Sequence, residues 1–370
     1  MSAVAAPSVD VMVDLLAALV ASESPSSEPD AVAACARLIS EAGAQLMGQK
    51  AEEVVVDGRT HLRWRFGSSP TRVALIGHVD TVWPLGTAAR WPFSVSEGIA
   101  TGPGAFDMKA GIVQLLHALA TLEDRDGIAV LLTADEEIGS PSSRALIEDT
   151  ARGAAAALIL EPSAGAALKT ARKGVSNYQV IARGRASHAG LEPENGVNAA
   201  VELAHVVVGL AAIAKPHEGT TVTPTVVHGG TATNVVPAEA TVDVDVRAAT
   251  PDEQARVDAA FRRLTPTVPG AEIEVRGGPN RPPLPTASSA DLFRRAQAVA
   301  ARLGQPALEG VEVGGGSDGN FTAAAGVPTL DGLGAVGGGA HAEGEHVVLS
   351  AMPGRVELLA ELVRDLLRER

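Results

Sequence analysis

A chain of 370 residues with 46% hydrophobic but only 3% aromatic residues must build its core from Ala, Val and Leu, and it is long enough for two domains. A net charge of -14 at pH 7, without any basic cluster, excludes a nucleic-acid groove, which requires a basic face. The single cysteine, Cys35, excludes an internal disulfide, a thiolate zinc cluster and a redox pair, so a metal would have to be held by His and carboxylates.

No run approaches the ~18 apolar residues of a membrane span. There is no Lys or Arg before Arg37, and Asp10 and Asp14 interrupt the apolar stretch from Val9 to Val20. Both halves of a secretory leader are therefore missing, and a soluble cytoplasmic protein is expected.

In chain order, Val9 to Ala21 has helical periodicity, and the proline-containing stretch Glu23 to Asp30 leads into a second helix from about Ala31 to Ala42. Val54 to Val56 and His61 to Phe66 predict a strand pair around the turn Asp57-Gly58. The apolar run Val73 to Ile76 predicts a buried strand ending at Gly77-His78-Val79-Asp80-Thr81. After a loop with Trp83, Pro84, Trp91 and Pro92, the block from Gly102 through Asp107 to Gly111 opens a helix reaching about Leu122. Ile128 to Thr133 predicts the next strand, and Asp135-Glu136-Glu137 follows it at once, before the turn residues Gly139, Ser140 and Pro141. A helix from about Ser142 to Thr150 and a strand from Ala155 to Leu160, ending at Glu161-Pro162, complete the alternation. This predicts an α/β fold whose mostly parallel, mixed sheet is flanked by helices.

From about Arg172 the pattern changes. Tyr178 to Arg183 and Thr241 to Val246 alternate in period two, Val222 to Val227 reads as a strand, and Asn198 to Ala214 and Asp252 to Leu264 read as helices. That order predicts an inserted two-layer α+β (ferredoxin-like) domain ending near Arg276, with the proline-rich stretch Gly277 to Pro285 as a return linker. A helix from Ala290 to Leu303, the glycine-rich segments Gly314 to Gly319 and Gly337 to Gly339, and a helix from Ala351 to Arg368 return to the first domain. The expected division is 1–171 with 285–370, and 172–284 as the insert. Gly314 to Gly319 formally matches G-x-G-x-x-G but lies outside any early strand-turn-helix unit. It reads instead as a floor, including Gly316, that lets backbone approach a substrate.

Open sheets of this kind bind ligands at the carboxyl ends of their strands, where His78, Glu136, Glu137 and Glu161 fall. Together with Asp107 and His341 these residues supply two imidazoles and several carboxylates without a thiolate. Such a donor set suits a dinuclear site in which each metal takes one His and one terminal carboxylate while the remaining carboxylate bridges. A metal pair acidifies water and clamps a developing oxyanion. Asp80, two residues after His78, is placed to accept the other ring N–H. Glu136 is left as general base.

The motifs Gly77-His78-Val79-Asp80-Thr81-Val82, Asp107-Met108-Lys109-Ala110-Gly111, Asp135-Glu136-Glu137-Ile138-Gly139-Ser140, Glu161-Pro162, Gly184 to Gly190 with His188, Asn234-Val235-Val236-Pro237, Asp243 to Arg247 and Gly339-Ala340-His341 run in order across nearly the whole chain. In that order the sequence resembles the M20 metallopeptidases, most closely their glutamate carboxypeptidase (carboxypeptidase G2-like) branch.

The resemblance implies two Zn2+ per subunit, with Co2+ or Mn2+ as substitutes: His78 and Glu161 on one ion, Glu137 and His341 on the other, Asp107 bridging. It also implies Glu136 as base, Asp80 as orienter of His78, and a cis peptide bond after Asp107. The insert would be a lid and dimerisation domain forming a homodimer through residues 172–284. From it, His188 would stabilise the oxyanion in the partner's site, and Asn234 and Arg247 would hold the substrate's α-carboxylate. Lys169, Arg172 and Arg281 are the groups available to bind a glutamate side chain. The implied activity is hydrolysis of an amide to a C-terminal free amino acid in a small peptide or N-acyl amino acid. The alternatives are an N-acyl-amino-acid deacylase of the acetylornithine or succinyl-diaminopimelate type, or a non-catalytic binding homologue.

Overall fold

The computed structural model describes residues 8–368, which divide into two compact units. The first comprises residues up to Ala171, Leu284–Val313 and Ser317 onward; the second comprises Arg172–Pro283 and Gly314–Gly316.

The first unit is built on a six-stranded mixed sheet in the order Glu52–Val56, Arg59–Arg65, Ile128–Thr133, Val73–His78, Ala156–Ile159 and Thr329–Leu330. The last four run parallel, and the first two form an antiparallel hairpin on one flank. Asp57 and Gly58 both take positive φ, the backbone that matches a two-residue hairpin turn to the strand twist. Every residue of the two central strands is buried, which explains why they read as unbroken apolar runs rather than alternating ones.

Side chains on successive residues enter different cores. Val73 and Leu75 pack with the long helices Val9–Ala21, Pro29–Met47, Ala110–Ala120, Thr286–Arg302 and Met352–Arg368. Ala74 and Ile76 pack on the other face with Ile147, Ala151 and Phe321 from the short helices Arg144–Ala151 and Gly319–Ala324. A second small sheet, Gly337–Gly338, His346–Val348, Ile99–Thr101 and Ser94–Ser96, was not visible in the periodicity because its strands have only two or three residues.

The second unit is a four-stranded antiparallel sheet in the order Thr221–Gly229, Glu239–Ala248, Gly174–Arg183 and Glu272–Arg281, with helices Ala199–Leu210 and Pro251–Arg262. Val242, Val244 and Val246 alternate inward against Leu203, Val206 and Val257, while Tyr178 stacks on Phe261 at 3.9 Å. Thr250 caps the second helix by accepting from Glu253 N, and Pro251 opens it.

Two expectations are corrected here. Gly277 to Arg281 is not linker but the second half of an edge strand paired with Val175 to Tyr178. Pro279 is tolerated because it sits on an edge strand where the register shifts. Gly314–Gly316, expected with the first domain, groups with the second unit.

Gly111, on the buried face of helix Ala110–Ala120, lies so close to the Leu160 carbonyl oxygen that a Cβ would overlap it. Gly→Ala in a helix interior ordinarily stabilises by ~1 kcal/mol. Here Gly111→Ala is expected to destabilise by about 1–3 kcal/mol through forced backbone displacement. Urea unfolding decides the sign.

Candidate metal centre

Register brings the first groups together. His78 is paired with Thr133 across two parallel strands, so His78 and Asp135-Glu136-Glu137 leave the sheet at the same edge. On the other side of the His78 strand, Ile76 pairs with Ile159, and Glu161 follows two residues later. Asp107 comes from a kinked turn, Ala105–Lys109, in which Asp107 and Met108 leave helical geometry and the peptide bond between them is cis. His341 takes a positive φ of 61° in the loop after Gly337–Gly338.

Each imidazole faces two carboxylates. His78 Nε2 lies 3.3 Å from Asp107 Oδ1 and 3.4 Å from Glu161 Oε1. His341 Nε2 lies 3.4 Å from Asp107 Oδ2 and 3.1 Å from Glu137 Oε2. The two oxygens of Asp107 are thus divided between two histidines, the arrangement a bridging carboxylate requires.

A tetrahedral ion with ligands at 2.0–2.1 Å would hold its donors about 3.3 Å apart, close to the observed spacings. Glu137 Oε1 is buried without a hydrogen-bond partner, so a cation there would satisfy it. Glu136, buried to 8% exposure, lies within the same group as His78 and Glu161. The residues therefore fit a cation site by donor type, spacing and an orphaned oxygen.

Electrostatics say the same. Burial opposes charge on Asp107, but hydrogen bonds to His341 and His78 outweigh it and hold this carboxyl far below the usual range. Burial pushes Glu137 up, despite His341 beside it. Burial also works against a charged His78, yet Asp107 and Glu161 raise its pKa well above that of a free imidazole. Asp107 and Glu137 raise His341 to about 10. Protons on the two histidines supply the positive charge that the carboxylates demand, and a metal would displace them.

Asp80 acts differently from expectation. His78 Nδ1 donates to the Asp80 main-chain carbonyl at 2.9 Å, while the nearest carboxylate oxygen is 3.6 Å away. The carboxylate accepts instead from Glu136 N at 3.1 Å, Glu137 N at 3.2 Å and Ser26 Oγ at 2.6 Å. The Asp80 carboxylate is therefore tied to the amides of the acidic pair and to Ser26 while the nearby His78 charge favours its ionisation, and its main chain accepts the ring N–H.

Other supports carry no spacing signal in the sequence. Asp135 accepts from Ser142 N at 2.7 Å and from the Ser142 and Ser143 hydroxyls, fixing the turn from below. His61 is a buried, satisfied histidine that accepts from Ala134 N and bonds Ser142 Oγ. Glu345 accepts from Gly104 N, Phe106 N, Asp107 N and the Trp83 indole at 2.8–3.0 Å, clamping the segment that carries Asp107. Burial pushes its pKa up, and these four donors act against that rise.

In the first unit Lys169 Nζ stands 3.9 Å from Glu161 Oε2. In the second unit, Arg172 is buried and donates to the carbonyls of Gly315 and Gly316 at 3.1 Å. Arg281 is also buried, its carbonyl accepting from Gln254. Arg247 is ion-paired with Asp245 at 2.7 Å. His188 and the exposed Asn234 share one loop cluster, in which Ala189 N donates to Asn234 O. His188 Nδ1 accepts from Gly190 N and Leu191 N, which leaves the proton on Nε2.

Residues 74–365 match Peptidase family M20/M25/M40. Carboxypeptidase G2 from Pseudomonas sp. is 34% identical over 314 residues, 81% of this chain and 75% of its own. Succinyl-diaminopimelate desuccinylase from Methylorubrum populi is 30% identical over 374 residues, 90% of this chain and 94% of its own. A tripeptidase structure from Staphylococcus aureus shares the fold with a TM-score of 0.77 at 20% identity, covering 98% of this chain and 99% of its own.

Two outcomes are expected. Glu345→Gln puts an amide N–H against backbone donors, at about 1–3 kcal/mol for each mismatch. Metal affinity should fall by roughly 10- to 100-fold with it, as when a ligand's support is lost; urea unfolding and metal titration report the two effects. Second, metal loading at pH 7 should expel protons from His78 and His341, seen as buffer-dependent heats in calorimetry. The sign is fixed by the raised pKa of His341: apparent metal affinity rises with pH until about 10, where this ring loses its proton. In the metal-free protein the stabilisation from His341 is present below about 6.5 and is lost as pH rises through about 10. Heats independent of buffer would show that the imidazoles are already neutral.

Proposed function

The chain belongs to peptidase family M20/M25/M40, metallohydrolases that cleave peptide or amide bonds, and from that premise we propose that it is a di-zinc exopeptidase releasing a C-terminal amino acid. The observation that carries this reading is the division of the two Asp107 oxygens between His78 and His341, each with its own terminal carboxylate. Similarity to Carboxypeptidase G2 supports release of a C-terminal residue, and the motif resemblance to the glutamate carboxypeptidase branch supports glutamate as that residue.

In this reading His78 and Glu161 would hold one Zn2+ and His341 and Glu137 the other, with Asp107 shared between them; Co2+ or Mn2+ would be substitutes. When bound, the ions polarise the scissile carbonyl and acidify water at the site. Glu136, whose amide is tied to Asp80 Oδ1, takes the proton of the attacking water and delivers it to the departing nitrogen. His188 presents an Nε2 donor suited to a developing oxyanion, and in a homodimer formed through residues 172–284 it serves the partner's site.

Arg247 and Asn234 bind the substrate α-carboxylate, which must compete with Asp245 for the guanidinium. Gly316 lends backbone to the substrate floor, and Lys169, Arg172 and Arg281 are the cations for an acidic side chain. No helix among the described residues is long and apolar enough to cross a membrane, and a cytoplasmic location completes the proposal.

A second reading has its own support. Similarity to succinyl-diaminopimelate desuccinylase over 90% of the chain favours an N-acyl-amino-acid deacylase using the same metal ligands.

Zinc-loaded protein should release glutamate from dipeptides and N-acyl glutamates, and a chelator should abolish the release. Release confined to N-succinyl or N-acetyl diamino acids selects the deacylase, and no release from any of these substrates overturns both readings. Glu136→Ala should lower kcat by at least ~100-fold, the lower end for a lost general base, without changing metal content. A near-normal rate would remove Glu136 from the mechanism.

A further inference from the structure

Away from the residues of the metal centre, the first unit holds a cavity of about 630 Å³ between the start of the final helix, the turn Ala164–Ala167 and the segment Gln305–Glu309. That size lies within the range of small-molecule sites, roughly 300–1,000 Å³. Most of its lining is hydrocarbon, including Ala167, Leu308, Val336 and Leu358.

Arg355, also on its wall, is the exception. The residue is only 6% exposed, its Nη2 donates to the Ala166 carbonyl at 2.6 Å, and its Nη1 is buried without a hydrogen-bond partner. Among the described residues no carboxylate lies within ion-pair distance of it; Glu309 lines the same cavity but is exposed and makes no such pair. Burial alone lowers its pKa, to about 10. Leaving a cation buried and unpaired is costly, and such a group is ordinarily matched by an anion. Arg355 also stands in the first turn of a 17-residue helix, whose positive end favours negative charge.

We propose that this cavity is a binding site for a small aliphatic carboxylate, the carboxylate pairing with Arg355 and the hydrocarbon body resting on Ala167, Leu308, Val336 and Leu358. A neutral ligand would leave the guanidinium unmatched, and a polyanion would bury charge against the apolar walls. The class that satisfies both is a monoanion with a short apolar chain.

Calorimetric titration of the zinc-loaded full chain with hexanoate tests this, with hexan-1-ol as the neutral control. Hexanoate should bind at one site, and hexan-1-ol roughly 10- to 100-fold more weakly, the range for a hydrogen bond to a charged group. Arg355→Met should reduce hexanoate to the level of the alcohol. Ala307→Trp, on the exposed rim, should block both ligands and carries the test if the buried Arg355 variant does not fold. Arg247→Ala should leave hexanoate binding intact. The proposal falls if hexanoate does not bind, if neither Arg355→Met nor Ala307→Trp weakens it, or if binding disappears in Arg247→Ala or on chelation, which would place the ligand at the catalytic site.

Discussion

Four carboxylates, those of Asp107, Glu136, Glu137 and Glu161, share one sheet edge with two imidazoles, and their mutual repulsion governs what surrounds them. Without positive charge among them this group would not remain ionised in so buried a place. Protons on His78 and His341 meet the demand in the metal-free chain, and a pair of cations meets it better because each can contact several oxygens at once. The same compensation suits the group to a cation and would tie cation binding to pH.

Holding such a cluster requires rigid supports that the cluster cannot provide for itself. Two carboxylates do most of this by accepting backbone amides: Asp80 beneath the Glu136-Glu137 turn, and Glu345 beneath the segment that carries Asp107. Ser24 and Ser26, from the loop between the first two helices, pin the chain that follows His78 by bonding Val79 O and Asp80 Oδ2. Charge that would be costly if unpaired becomes a geometric constraint once each oxygen has a fixed donor.

Arg355 shows the opposite condition. It is a buried cation for which the surrounding chain offers one carbonyl and no carboxylate. At the metal centre the protein supplies both signs of charge, whereas at this cavity it supplies one, and the missing partner has to come from outside.

The donor residues and their places at strand ends were legible in the sequence, because strand period and turn residues are local properties. His78 after Val73 to Ile76, Glu136-Glu137 after Ile128 to Thr133 and Glu161 after Ala155 to Leu160 could be read without a structure, as could the α/β alternation and the change of pattern near Arg172. Tertiary structure alone decided which oxygen faces which nitrogen, that the Asp80 main chain rather than its carboxylate holds the His78 ring, and that Glu345 secures Asp107. It also turned Gly277 to Arg281 from linker into strand and exposed the unmatched charge of Arg355. Each of these depends on hydrogen bonds or burial between segments far apart in the chain, where no fixed spacing records the partner.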